Sequence, residues 1–124
     1  MENFQYNLVK NHFDKESDAW NSFYKNNNST NTIEAKGFND RKDAALHFIN
    51  KYANDTHKKI LELGCGAGHL LKILNEKGFE TTGLDISGKM IKIANDITEK
   101  QSKLFIGNFM EHNFFETYNI ILNL

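Results

Sequence analysis

Apolar residues in the second half of the chain alternate between two spacings. KILEL (59–63) is a short apolar run of strand length, and AGHLLKILNEK (67–77) carries apolar residues at helical spacing. FETTGLD (79–85) reads as a second strand, with Gly78 placed as the C′ residue that ends the preceding helix. Ser87 caps a second helix, whose face is Met90, Ile93, Ala94 and Ile97 at i, i+3, i+4 and i+7. KLFIG (103–107) and YNIILNL (118–124) read as the third and fourth strands. Strands alternating with helices predict a parallel sheet with right-handed crossovers.

The first half carries a helical pattern only. Phe13, Trp20, Phe23 and Tyr24 line one face of a helix within residues 1–25. NNNSTNT (26–32) is a polar loop. Asp40 starts the next predicted helix, with Asp43 adding negative charge to its first turn and Ala45, Phe48, Ile49 and Tyr52 forming its apolar stripe. NDTH (54–57) breaks the pattern, which divides the chain into a helical cover (1–57) and an α/β part (58–124).

Composition narrows the function classes. The net charge of −1 gives no global field for nucleic acid or an anionic membrane. The cations are 14 Lys and a single Arg, Arg41, so the usual reader of guanine edges is scarce. One cysteine, Cys65, permits no intrachain disulfide and fits a reducing compartment. MENFQYNLVK lacks the apolar run of a signal peptide, and no window approaches the roughly 20 apolar residues of a membrane span. These features read as a soluble, cytoplasmic protein with neither nucleic acid nor membrane as partner.

The chemistry lies in LELGCGAGHL (61–70). A strand running into Gly64, Gly66 and Gly68 and then a helix turns sharply and exposes bare backbone to a ligand. The helix N-terminus beyond offers N–H groups to an anion. Asp85 ends the next strand 21 positions after Gly64 (85 − 64), near the roughly 20-residue spacing of a carboxylate that binds ribose hydroxyls. The dinucleotide pattern G-x-G-x-x-G wants its third glycine at position six, which is His69; here the glycines run G-x-G-x-G. Two other readings share this layout: a nicotinamide-dependent oxidoreductase, and a glycine-rich turn without a cofactor.

Preceded by Glu62, LELGCGAG resembles motif I of the class I S-adenosylmethionine-dependent methyltransferases. GLDIS (83–87), then IGNF (106–109) and YNIIL (118–122), resemble the motifs that follow it. The resemblance covers residues 58–124 and implies a Rossmann-like, doubly wound parallel α/β sheet. It implies S-adenosylmethionine as cofactor and methyl transfer to a small-molecule acceptor of the quinone or tetrapyrrole kind. By matching position, Glu62 orients the amino end of the methionine moiety. Gly64, Cys65, Gly66 and Gly68 supply the backbone beside it, Asp85 accepts from both ribose hydroxyls, and Ile86 lies against adenine. Asn108 stands where an aspartate usually meets the adenine amino group, with Phe109 beside it. Asn119 replaces another common aspartate, and Asn123 falls near the mouth of the fourth strand. The resemblance names no catalytic base.

Other residues have duller readings. Cys65 is a small filler, since methyl transfer needs no thiol. His12, His47, His57, His69 and His112 lack metal-ligand spacing. Trp20 and Tyr24 either roof an acceptor pocket or pack on the core. The family sheet runs 3-2-1-4-5-7-6, so a chain ending at strand four is expected to be truncated. Its fourth strand would then be an open edge with Ile120, Ile121 and Leu122 exposed, prone to self-association. A binding protein that keeps the motif without catalysis is the remaining alternative.

Overall fold

The computed structural model describes the backbone of residues 4–25, 33–56 and 58–124, and the side chains of 4–18, 36–56 and 58–124. Its elements are α1 (Phe4–Lys25), α2 (Ile33–Tyr52), β1 (Lys59–Leu63), α3 (His69–Glu76), β2 (Glu80–Asp85), α4 (Gly88–Ile97), β3 (Lys103–Ile106) and β4 (Ile120–Asn123). The four strands form one parallel sheet in the order β3-β2-β1-β4. This is the expected Rossmann-like α/β arrangement, with the fourth strand added on the far side of the first. The predicted side chains of Trp20, Phe23 and Tyr24, and His57, lie outside the described residues.

Local chemistry sets the helix ends. Gly78 adopts φ 93°, its N–H bonds Asn75 O, and Phe79 N–H bonds Leu74 O. That pair of bonds closes α3 as a Schellman motif, and Phe79 then packs on the cluster containing Leu74. Ser87 Oγ accepts Met90 N–H at 3.2 Å and caps α4 as expected.

Register assigns the faces of the sheet. Ile60, Glu62, Thr81, Gly83, Leu104, Ile120 and Leu122 share one face with the helices. There Ala45 and Ile49 of α2, Ile60, Leu70 and Leu74 of α3, and Leu122 form one buried cluster. Cys65, Leu71 and Ile91 form a second. Leu61, Leu84, Phe105 and Ile121 point the other way. No described helix covers that face; the segment between β3 and β4 crosses it. His112 packs on Phe105 with centroids 5.0 Å apart, and Phe114 packs on His112 at 4.7 Å. Glu116 fastens the segment to Lys103 at 2.7 Å and to Lys59 at 3.9 Å.

Four expectations need correction. Helix α2 begins at Ile33, well before Asp40; the helix formers Glu34, Ala35 and Lys36 carry it across Gly37, whose cost is only about 1 kcal/mol. Its buried line is Ala45, Leu46, Ile49 and Ala53, while Phe48 and Tyr52 are exposed and stack on each other at 4.8 Å. In α4 the buried seam is Met90, Ile91 and Ala94, continued by Thr98, with Ile93 and Ile97 half-buried. Finally, β4 is not bare on both faces: Leu122 is buried and Ile120 partly so, because α2 covers them, and Ile121 alone of the three is exposed.

Candidate functional site

The carboxyl ends of β1, β2 and β3 open into a cleft of about 490 Å³. Its floor comes from Gly64 and Gly66 after β1, and from Leu84, Asp85 and Ile86 at the end of β2. Met90 of α4 and Gly107, Asn108 and Phe109 after β3 form one side. Helix α1 lays Gln5, Tyr6, Val9 and Phe13 across the top. Open α/β sheets bind ligands at this end, beside the strand where the order reverses.

The glycine loop is fixed by main-chain bonds. Gly64 N–H and Cys65 N–H both donate to Leu84 O, at 2.8 and 3.1 Å, which ties the loop to β2. Gly66 N–H donates to Asp85 Oδ2 at 2.9 Å, and Ser87 N–H donates to Asp85 Oδ1 at 2.9 Å. Asp85 is therefore aimed by main-chain N–H groups on both oxygens, and the carboxylate keeps acceptor capacity for a ligand hydroxyl. Burial pushes its carboxyl above the usual range, and the N–H groups of Ser87, Gly66 and Ile86 oppose that push.

Gly66 and Gly68 do different work. Gly66 has φ 54°, and a Cβ there would meet nothing within 4 Å, so its open side is the cleft. Gly68 has φ 83°, but a Cβ there would stand 2.9 Å from Ala94 Cβ. Gly68 lets α3 approach α4 and is not on the cleft wall, so the structure gives it a packing role in place of ligand approach.

Glu62 is buried on the helix side of the sheet beneath the loop. Its Oε1 has no hydrogen-bond partner among the described residues. Burial, then the neighbouring charge of Asp85, raises its carboxyl to about 8. A neutral Glu62 at pH 7 is a buried group awaiting a partner. Cys65 is buried against Leu71 and Ile91, and burial pushes its thiol up, which suits a filler.

The remaining candidates divide. Ile86, Asn108 and Phe109 reach the cleft wall. Asn108 Oδ1 already accepts Met110 N–H at 3.0 Å, which leaves one lone pair and the amide N–H groups. Asn123 is exposed, pairs with Leu63 and is not on the cleft wall. Asn119 sits at the opposite end of the sheet, where its Oδ1 accepts Lys59 N–H at 2.9 Å and its N–H donates to Lys59 O. His69 is half-buried and is not on the cleft wall.

Sequence reasoning missed the roof and what holds it. Tyr6, Val9 and Phe13 follow i, i+3, i+7 spacing, a signal present in the chain but overshadowed by Trp20 and Tyr24. Asp14, which joins α1 to Ser87, gave no local signal at all.

A family model described as a methyltransferase domain matches residues 38–122. The ubiquinone biosynthesis O-methyltransferase of Chromobacterium violaceum is 34% identical over 61 residues, 49% of this chain and 26% of that protein. The malonyl-[acyl-carrier protein] O-methyltransferase of Priestia megaterium is 30% identical over 103 residues, 78% of this chain and 37% of that protein. The magnesium protoporphyrin IX methyltransferase of Synechocystis, solved with bound S-adenosylmethionine, superposes with a TM-score of 0.82. It is 19% identical, and the match covers 98% of this chain and 62% of that one. The chain thus spans well under half the length of the two relatives and under two-thirds of the solved structure. The family match sets the nicotinamide alternative aside: the chain belongs to the class I, S-adenosylmethionine-dependent methyltransferase family.

Proposed function

We propose that the cleft binds S-adenosylmethionine and that the chain is the cofactor-binding part of an enzyme methylating a small molecule. The observation that carries this reading is Asp85, aimed into the cleft by Gly66 N–H and Ser87 N–H with acceptor capacity to spare, beside an uncrowded glycine turn. The residues present fit such a cofactor. Asp85 would accept from the ribose diol, Ile86, Asn108 and Phe109 would border adenine, and the orphaned Glu62 Oε1 would answer the ammonium group.

When bound, the cofactor would supply a sulfonium-activated methyl group that passes to an acceptor nucleophile, with the methyl–sulfur bond breaking, S-adenosylhomocysteine as the leaving group and the acceptor losing a proton. The chain's own contribution is positioning and exclusion of water. Tyr6, Val9 and Phe13 close the top with largely apolar surface. Among the described residues of the wall, Asp85 is the only charged side chain, and this reading gives its remaining acceptor capacity to the ribose diol. The acceptor must therefore arrive with a nucleophile that needs no strong base from this wall.

The same reading makes residues 1–57 a helical cover and 58–124 the cofactor-binding part, in a cytoplasmic protein. No helix among the described residues is long and apolar enough to cross a membrane. The test is a thermal shift with S-adenosylmethionine, S-adenosylhomocysteine and NAD. A ligand at 100 times its dissociation constant adds about 2.7 kcal/mol. A response to NAD and none to the sulfur ligands overturns the assignment. A radiolabelled methyl-transfer assay separates an enzyme from a binding protein.

A further inference from the structure

Helix α1 is lightly held. Of its described side chains only Ser17 is buried, and Phe4, Leu8 and Val9 are largely exposed. An element with so few buried contacts belongs to the low-stability end of a fold, from which lids are drawn. Its specific polar tie is Asp14. Asp14 Oδ1 accepts a hydrogen bond from Ser87 Oγ, a residue 73 positions away, and the carboxylate also receives the main-chain N–H of Lys89. Lys10, one turn earlier, pairs with Asp14 Oδ2 at 3.1 Å.

Ser87 is fully buried, and its bonds run in two directions. Its hydroxyl faces Asp14 on the roof, and its N–H holds Asp85 on the floor. Asp85 in turn takes Gly66 N–H. Roof, α4, ribose-binding carboxylate and glycine turn are thus one hydrogen-bonded chain. Ser87 Oγ caps Met90 N–H without Asp14, and Asp14 adds the N–H of Lys89 in the same first turn. Beyond that one amide, Asp14 places α1, and with it the adjacent Phe13 and the Tyr6 and Val9 surfaces, over the cleft.

We propose that Asp14 is a positioning residue: it latches α1 over the cleft through Ser87, and so couples closure of the roof to the grip of Asp85 on the ligand. The ligand half of this proposal rests on the cofactor reading above. The test uses the full chain with Asp14→Ala and Asp14→Asn, the second keeping one acceptor oxygen for the Ser87 hydroxyl. Hydrogen exchange of residues 4–18 is followed with and without S-adenosylhomocysteine, and release of that ligand is timed by competition. Loss of a charge-assisted hydrogen bond should speed exchange of α1 about tenfold in Asp14→Ala without ligand, and ligand release by a similar factor. Asp14→Asn should fall between, and the amides of α4 beyond Lys89, which donates to Asp14 itself, should be unchanged.

Wild-type exchange of α1 in Asp14→Ala overturns the latch, as does equal loosening of α4, which would make Asp14 a mere cap. Faster exchange with unchanged ligand release overturns the coupling. If the wild type takes no S-adenosylhomocysteine in calorimetry, the cofactor reading and the coupling fall together. The ligand-free exchange then still decides the latch by itself.

Discussion

On the helix side of the sheet, Ile49, Ile60, Leu70 and Leu74 are sealed between α2, α3 and β1. On the other side, Leu61 and Leu84 lie beneath an irregular segment that leaves Ile121 60% exposed and Phe115 96% exposed. The first face is made by consecutive strand–helix units, so each crossover brings its own cover. The second relies on an aromatic stack and on Glu116 tied to two lysines at the surface, and such exposed pairs contribute little. Stability should therefore reside on the helix face, and the other face should tolerate change.

The strongest way to test that difference is to crowd the helix face. Gly68→Ala adds a Cβ 2.9 Å from Ala94 Cβ and 3.1 Å from its Cα, at a positive φ. Strain and overpacking together should cost on the order of 2–4 kcal/mol. Gly66→Ala shares the positive φ but meets nothing, so only the conformational cost of roughly 1–2 kcal/mol applies. Denaturant unfolding of both variants decides it; equal losses would mean that the contact with α4 is unimportant.

Titration of Glu62 probes the same face without changing its shape. Its folded value of about 8 lies above the ordinary 4.5. Between those values the unfolded chain is ionised while the fold keeps a proton, so the fold binds more protons. Stability must then fall as pH rises from about 4.5 to about 8 and level off beyond. Between pH 5 and pH 8 the loss should be on the order of 3–4 kcal/mol, and Glu62→Gln should flatten it. Unfolding midpoints at pH 5 and pH 8 provide the measurement, and a wild type as steep as the variant would refute the assignment to Glu62.

At the junction of the two faces, Asp85→Ala should weaken binding of S-adenosylhomocysteine by roughly 1.5–3 kcal/mol, because a charge-assisted acceptor is lost. Gly66→Val should weaken it too, by filling the open side of the loop. Cys65→Ala, buried away from the cleft, should change affinity much less. Calorimetry that ranks Cys65 above Asp85 would show that the loop has been misread.

These residues also mark what the sequence disclosed. The strand–helix alternation, the Ser87 cap and the Gly78 stop were legible because each depends on neighbours within a few positions, whereas the strand order, which pairs Ile60 with Ile120, came only with the family resemblance. Asp85 was legible because its distance from the glycines is a fixed consequence of one strand–helix–strand unit. The buried line of α2 was not: Ala45–Ile49 and Phe48–Tyr52 fit helical spacing equally, and only the sheet chooses between them. Gly68 looked like its neighbours until α4 was placed behind it. Asp14 was invisible because its partner lies 73 positions away.

The smallest expected effect on folding belongs to the exposed face. Ile121 has no helix over it, so Ile121→Ser should move stability by no more than about 0.5 kcal/mol. Among the described residues, however, its strand is hydrogen-bonded only to β1, and an apolar strand edge is a template for another strand. If that edge recruits a second copy, association through Ile121 and the edge groups of β4 should grow with concentration, with a net charge of only −1 to oppose it. Size-exclusion chromatography with light scattering should show larger species for the wild type at high concentration and fewer for Ile121→Ser. Cofactor affinity should be the same in both, because the cleft draws no residue from β4. A wild type that stays monomeric would remove the edge as an association site, and a large loss of stability in Ile121→Ser would show that the exposed face contributes as much to folding as the helix face.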